Sequence, residues 1–279
     1  DIAGKWVFPQ VTLNTGEFLV VHASGLDRRD PAQPLHTNFT LSGGGEFLAL
    51  YSPATVPASV WQPYAQQFPG VSFGTIFSGA SQGYFLEPTP GVDNHLEALT
   101  DYVRDTHFDV ERGFFTTAFP VTITTSTPGA EIRYTTDGSE PSESSPLYTA
   151  PLTVSTTTAL RARAFKSGLV PSNIDTQTYI FAASWKTQPD FPAGFPQSWG
   201  QFDSTLKVLA DYGMNPSVTN NATYGPLIIP AMTQTLPVVC LTGRMEDIFG
   251  DDSIHGNLRD TDAEVPVAIE YFNPLVPAD

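Results

Sequence analysis

Residues 128–172 read PGAEIRYTTDGSEPSESSPLYTAPLTVSTTTALRARAFKSGLVPS, and the reading of this stretch decides the fold class. Apolar and polar side chains alternate with period two, the spacing of a strand with one buried face. Ile132 and Tyr134 fall on one side, Glu131 and Arg133 on the other. Asp137-Gly138 supplies a turn, Leu152 and Val154 a second short strand, and Leu160, Ala162 and Ala164 alternate with Arg161 and Arg163. The pattern predicts a small antiparallel β-sandwich of about four strands with turn chemistry between them. Such a module is suited to spacing, adhering or presenting rather than to catalysis.

The segment Ile132-Arg133-Tyr134-Thr135-Thr136-Asp137-Gly138-Ser139-Glu140-Pro141-Ser142, with Ser145-Pro146-Leu147-Tyr148 and the strand from Thr156 to Ala164, resembles a known module. It is similar to the immunoglobulin-like domain at the C-terminal end of chitobiases and β-hexosaminidases. The resemblance covers about 115–182 and is specific, because turn residues and strand faces agree together. It implies an accessory domain and carries over no glycosidase active site, whose residues lie in a different domain.

Working outward, composition sets the bounds. A chain of 279 residues has room for about two or three domains. Charged residues make up 15%, against a usual ~25%, while proline numbers 25 and glycine 22. That mixture favours short strands and many turns over long helices. The net charge of −16 repels nucleic acid and anionic membrane surfaces, so neither is expected as a main partner. The acidity reads as solubility in a salty or extracellular setting. The sharper reading is divalent-cation binding at Asp251, Asp252, Asp260, Asp262 and Glu264, whose spacing does not fit a helix–loop–helix calcium loop. A metal role is left unassigned.

The single cysteine, Cys240, lies in Leu236-Pro237-Val238-Val239-Cys240-Leu241, which excludes an internal disulfide and reads as a small buried hydrophobe in a buried strand. No apolar run approaches about eighteen residues, so no membrane span is expected. The start at Asp1, without a signal sequence, reads as a processed or partial product.

In the N-terminal third, Thr15-Gly16-Glu17-Phe18-Leu19-Val20-Val21-His22-Ala23 and Gly44-Gly45-Glu46-Phe47-Leu48-Ala49-Leu50-Tyr51 are near-repeats, each a glycine-led turn entering a predicted buried strand. Leu35 to Leu41 adds another strand, and Val71-Ser72-Phe73-Gly74 and the segment from Tyr84 to Gly91 follow. This order, with Leu35-His36-Thr37-Asn38-Phe39 and the turn Pro88-Thr89-Pro90-Gly91 before Asn94, resembles the lamin-tail domain, another immunoglobulin-like sandwich. The resemblance covers about 1–94. Trp6 falls partway into the family pattern, so the module is expected to lack its first strands and to expose sheet edges for a neighbouring copy or a parent protein.

The last third starts near Ala183. Trp185 to Trp199 reads as an extended linker, Asp203 to Tyr212 as a short helix, Pro226 to Gln234 as a second helix, Met245 to Phe249 as one helical turn and Val265 to Phe272 as a strand. In that strand Val265, Val267 and Ile269 alternate with Pro266, Ala268 and Glu270. Asp211-Tyr212-Gly213-Met214-Asn215-Pro216, Leu236-Pro237-Val238-Val239, Asp247-Ile248-Phe249-Gly250, Ser253-Ile254-His255-Gly256-Asn257 and Pro266-Val267-Ala268-Ile269-Glu270-Tyr271 resemble the region preceding the kinase-like domain of bacterial CotH-type proteins. Ala263-Glu264-Val265-Pro266 stands where that family has Trp-Glu-Arg-Pro. The kinase-like domain would follow Asp279, so no nucleotide-binding residue is assigned.

Catalytic motifs weigh little. Gly70-Val71-Ser72-Phe73-Gly74 fits the Gly-x-Ser-x-Gly elbow, but no helical period follows it, and a strand is the expectation. The histidines, His22, His36, His95, His107 and His255, show no i, i+4 zinc spacing. Asp137 reads as a turn former, and Trp6, Trp61, Trp185 and Trp199 as packing residues or, alternatively, sugar platforms.

The sequence therefore predicts a mainly β chain: two tandem immunoglobulin-like β-sandwiches followed by a smaller mixed α+β segment. The expected boundaries are 1–94, a linker at 95–114, a second sandwich at 115–182 and the α+β segment at 183–279. The expected function is a non-catalytic structural or adhesion segment, extracellular or at the cell surface, without cofactor. Its partners are copies of itself or its parent protein through open sheet edges, or a polysaccharide. The alternatives are a carbohydrate-binding accessory region and the upstream part of a CotH-type kinase.

Overall fold

The computed structural model describes residues 4–76, 82–94, 98–201, 207–249 and 264–275. Strand accounts for 31% and helix for 10%, so the chain is mainly β with a few short helices. It divides into two compact units, residues 1–102 with 167–170, and residues 103–166 with 171–279.

The first unit is built from short strand pairs. Strands β1 (Val21–His22) and β2 (Leu35–His36) run parallel. Strands β3 (Leu48–Tyr51) and β4 (Pro57–Trp61) form one antiparallel pair, β5 (Ser72–Thr75) and β6 (Gln82–Phe85) another. Phe68, Phe73, Tyr84 and Tyr102 pack edge-on or tilted, with Trp61 on Phe73. Asn94 ties this unit together by donating to the Thr75 carbonyl (3.0 Å) and accepting from the Thr89 hydroxyl (2.8 Å). The two near-repeats part company here. Gly45, at φ +90°, turns the chain where a Cβ would strike the Tyr64 carbonyl, and β3 follows it. After Gly16, by contrast, Glu17–Val20 forms no strand and Phe18 and Val20 stay exposed, because no neighbouring segment pairs with them among the described residues.

The second unit holds the sandwich. Its strands are β7 (Thr106–Phe108), β8 (Gly113–Phe114), β9 (Phe119–Val121), β10 (Ile123–Thr125), β11 (Glu131–Thr135), β12 (Leu152–Val154), β13 (Thr158–Phe165) and β14 (Asp175–Ile180). One sheet has the order β11-β13-β14-β8, and the pairs β7–β10 and β9–β12 supply the opposing layer. All these pairings are antiparallel except β14–β8. Strands β7 and β8 lie in the stretch read as a linker. Val121, Ile123, Ile132, Val154, Leu160, Ala162, Ala164 and Tyr179 are buried between the layers. The alternation of β13 is obeyed on its apolar side and broken on the other, where Arg161 is only 5% exposed.

C-terminal to the sandwich the chain forms a short hairpin, β15 (Ser198–Gln201) with β16 (Lys207–Leu209), then α1 (Pro216–Thr219), α2 (Ile228–Gln234), β17 (Val238–Thr242), α3 (Met245–Phe249) and β18 (Ala268–Phe272). Lys207–Leu209 is therefore strand where helix was expected, since it has a partner in Ser198–Gln201 that local spacing could not reveal. The expected linker begins as a 3₁₀ turn, Ala182–Thr187, whose Trp185 packs against a core of Ile180, Ala182 and Phe272 together with Phe114, Ile229, Val238 and Cys240.

The stretch 236–241, expected to be a buried strand, instead exposes one apolar face of the β17–β18 ribbon. Val239 pairs with Tyr271 and Leu241 with Ile269, and these four side chains point outward, 56–67% exposed. Glu270, on the other side of the alternation from Ile269, is 3% exposed. The cause is a specific bond: the Glu270 carboxylate accepts from the backbone N–H of Thr178 (3.0 Å) and from its hydroxyl. A buried carboxylate held by two donors outweighs the preference of the isoleucine for the interior.

Candidate functional site

The turn after β11, Arg161 of β13 and the segments around α3 and before β18 build the first recess. Asp137 accepts from the Ser139 N–H (3.0 Å) and hydroxyl (2.5 Å), and both bonds hold its carboxyl below the usual range. Gly138 sits at φ +85°, and a Cβ there would collide with the Gly243 carbonyl, so the turn lies flat on the backbone that follows β17. Arg161 reaches up from β13 to donate to the Gly138 carbonyl (2.8 Å) and stands 3.6 Å from Glu140. Across a cavity of about 310 Å³, Arg244 grips Asp247 through two bonds of 2.7 Å. Those bonds and that charge raise the Arg244 pKa. Two cations face two anions there, and the recess neutralises itself.

The second recess is of another kind. It is a groove of about 320 Å³ between the end of β11, the start of β13 and strand β12. Its lining combines Tyr134, Thr136, Thr153 and Thr158 with Leu152, Val154 and Leu160, and no lining residue bears a charged group. The Thr158 hydroxyl donates to the Thr156 carbonyl (2.8 Å).

The other candidates resolve into structure. Ser72 lies within β5 opposite Phe85, on an extended strand rather than a strained elbow. Cys240 stands on the inner face of the ribbon opposite Glu270, and burial, followed by that carboxylate, pushes its thiol up to about 11. It stays protonated near neutrality and is a poor nucleophile. Asp137 forms the expected turn. Trp6 donates to Asp27 (3.1 Å), and Trp61 and Trp185 pack on Phe73 and Phe114.

His22 and His36, fourteen positions apart, meet through the parallel β1–β2 pairing with ring centroids 4.8 Å apart and planes 23° from parallel. The His36 Nδ1 is engaged by the Ser24 hydroxyl at 2.8 Å. Burial, Arg28 and His22 lower the His36 pKa. Among the described residues no group of three or more His, Cys, Asp or Glu is placed to hold a metal. Glu264 is exposed, while Asp251, Asp252, Asp260, Asp262, His95 and His255 lie outside the described residues.

Sequence reasoning missed Arg161 and Glu270. Each sits on the polar side of an alternating strand, and only the neighbouring turn or strand makes that side an interior.

Among known proteins, the family model for the Chitobiase/beta-hexosaminidase C-terminal domain matches residues 110–176. This supports the immunoglobulin-like character of the second unit's sandwich. No curated protein matches the chain. No solved structure matches it either. Among the described residues no helix is long and apolar enough to cross a membrane.

Proposed function

We propose that this chain is a non-catalytic segment of an extracellular or cell-surface protein whose β-modules hold a shape and present contact faces. The supporting observation is how the sandwich spends its inward charges. Arg161 donates to the Gly138 carbonyl (2.8 Å) and Arg163 to the Ser172 carbonyl (2.7 Å). Asp175 accepts from the Thr106 N–H (3.0 Å) and Glu270 from the Thr178 N–H (3.0 Å). Groups tied to backbone in this way staple turns and strand edges, whereas a catalytic acid or base must reach a substrate proton. Short two-stranded pairs in the first unit, and the outward apolar ribbon in the second, offer contact surface for copies of the chain or a parent protein. The lamin-tail reading of 1–94 and the CotH-upstream reading of 185–274 belong to this proposal and rest on the motifs quoted above.

The test is the particle mass in solution, by sedimentation, beside a turnover screen with chromogenic glycoside and ester substrates. Assembly without turnover is the expected result; turnover by the purified chain overturns the reading.

A second reading, a carbohydrate-binding accessory region, is favoured by the family match at 110–176, since the matched domain is named for chitobiase and β-hexosaminidase. Retention of the chain on insoluble chitin or cellulose tests it.

A further inference from the structure

The groove bordered by Tyr134, Thr136 and Thr153 has a chemistry that none of the inward charges explains. The hydroxyls of these three residues bond to no other described residue. Thr136 and Thr153 are exposed and Tyr134 is half-buried. The Thr158 hydroxyl, its proton already committed, keeps lone pairs for an incoming donor. Leu152, Val154 and Leu160 supply the apolar part of the lining, the last two buried. The groove thus joins an apolar lining and one aromatic ring to hydroxyls that both donate and accept.

We propose that this groove is a subsite for a neutral saccharide. A sugar ring has the matching surfaces: a C–H face that lies on an aromatic or aliphatic wall, and a rim of hydroxyls that donate and accept. A few directed polar groups over an apolar lining is the general form of a small-molecule site, and the volume sits near the low end of the usual range of about 300–1,000 Å³. It takes a ring or two rather than a long chain. Charge selects further. The groove has no cation to receive a uronate or sulfate, and the chain's net charge of −16 repels acidic glycans. The self-neutralised recess at Arg161 and Arg244 offers no comparable set of free hydroxyls.

This inference rests on the carbohydrate reading and is separable from the scaffold reading. Titration calorimetry of the full chain with chitotetraose and cellotetraose, with tetragalacturonate as the acidic control, tests it. The wild type binds at least one neutral oligosaccharide at millimolar concentration, equally at low and high salt. The double variant Thr136→Val, Thr153→Val, with a circular dichroism spectrum and melting temperature like the wild type's, binds about tenfold more weakly. Tyr134→Phe, which keeps the ring and removes the hydroxyl, loses a smaller factor. If no neutral oligosaccharide binds the wild type, both the groove and the carbohydrate reading fall. If the wild type binds and the double variant binds equally well, the groove alone is overturned. A preference for tetragalacturonate overturns the neutral-ligand assignment.

Discussion

The β11-β13-β14-β8 sheet and the β17–β18 ribbon start from the same alternating pattern and end with opposite faces inside. In the sheet, Leu160, Ala162 and Ala164 face the core as their hydropathy dictates, and Arg161 is buried as well because the Gly138 turn covers it. In the ribbon, Glu270 goes in and Ile269 and Tyr271 stay out. Period-two spacing therefore says that a strand has two faces. Which face becomes interior depends on the donors and apolar surface a neighbour brings.

The sharpest way to break this comparison is to delete equal side chains from both elements. Leu160→Ala removes a side chain 1% exposed and should cost about 3 kcal/mol in urea unfolding, through lost transfer energy and the cavity left behind. Leu241→Ala removes one that is 61% exposed and should change stability by under about 0.5 kcal/mol. Equal losses would mean that the ribbon's outer face is covered in solution.

Next in size is Glu270→Ala, which strands the buried Thr178 N–H and should cost about 2 kcal/mol, with Glu270→Gln losing less because its amide oxygen still accepts. Hydrogen exchange should show β17 and β18 losing protection before β13. Loss of protection in both together would mean that the anchor is elsewhere.

Gly138→Ala follows, at about 1–2 kcal/mol by thermal unfolding, because φ +85° and the nearby Gly243 carbonyl both oppose a Cβ. An unchanged melting temperature would show that the turn does not press on the backbone after β17.

The smallest effect is a pH dependence. The Ser139 hydroxyl and N–H lower the folded pKa of Asp137 below its ordinary 3.8. A carboxylate of this kind contributes stability that is fully present above the unfolded pKa and is lost as pH falls through the folded value. The slope of stability against pH below about 4 should thus be shallower in Asp137→Asn, measured by urea midpoints. An identical slope would assign the acid sensitivity to other groups, such as Asp109, whose pKa the Thr122 N–H also lowers.

The legible parts of this chain were those where local chemistry and tertiary outcome agree. The Asp137-Gly138 turn, the short strand at Leu152 and Val154, the helix ending at Gln234 and the turn at Met245–Phe249 all follow from side-chain type and spacing. The groove was not legible. Tyr134 lies near the end of β11 with Thr136 just past it, and Thr153 lies on β12, segments that local spacing does not bring together, and lone threonines carry no motif.

By itself the sequence determined that the chain is mainly β and that a turn falls at Asp137-Gly138, because these depend on backbone preference and hydrophobic periodicity within a few residues, while the immunoglobulin-like character of one stretch came from its resemblance to a known module. Only the tertiary structure decided which faces are interior, that Arg161 and Glu270 are anchors, that His22 meets His36, and that Lys207–Leu209 is strand. Each of these depends on a partner far away in sequence, whose donor, carbonyl or open edge sets the balance between burying a polar group and leaving an apolar one in water.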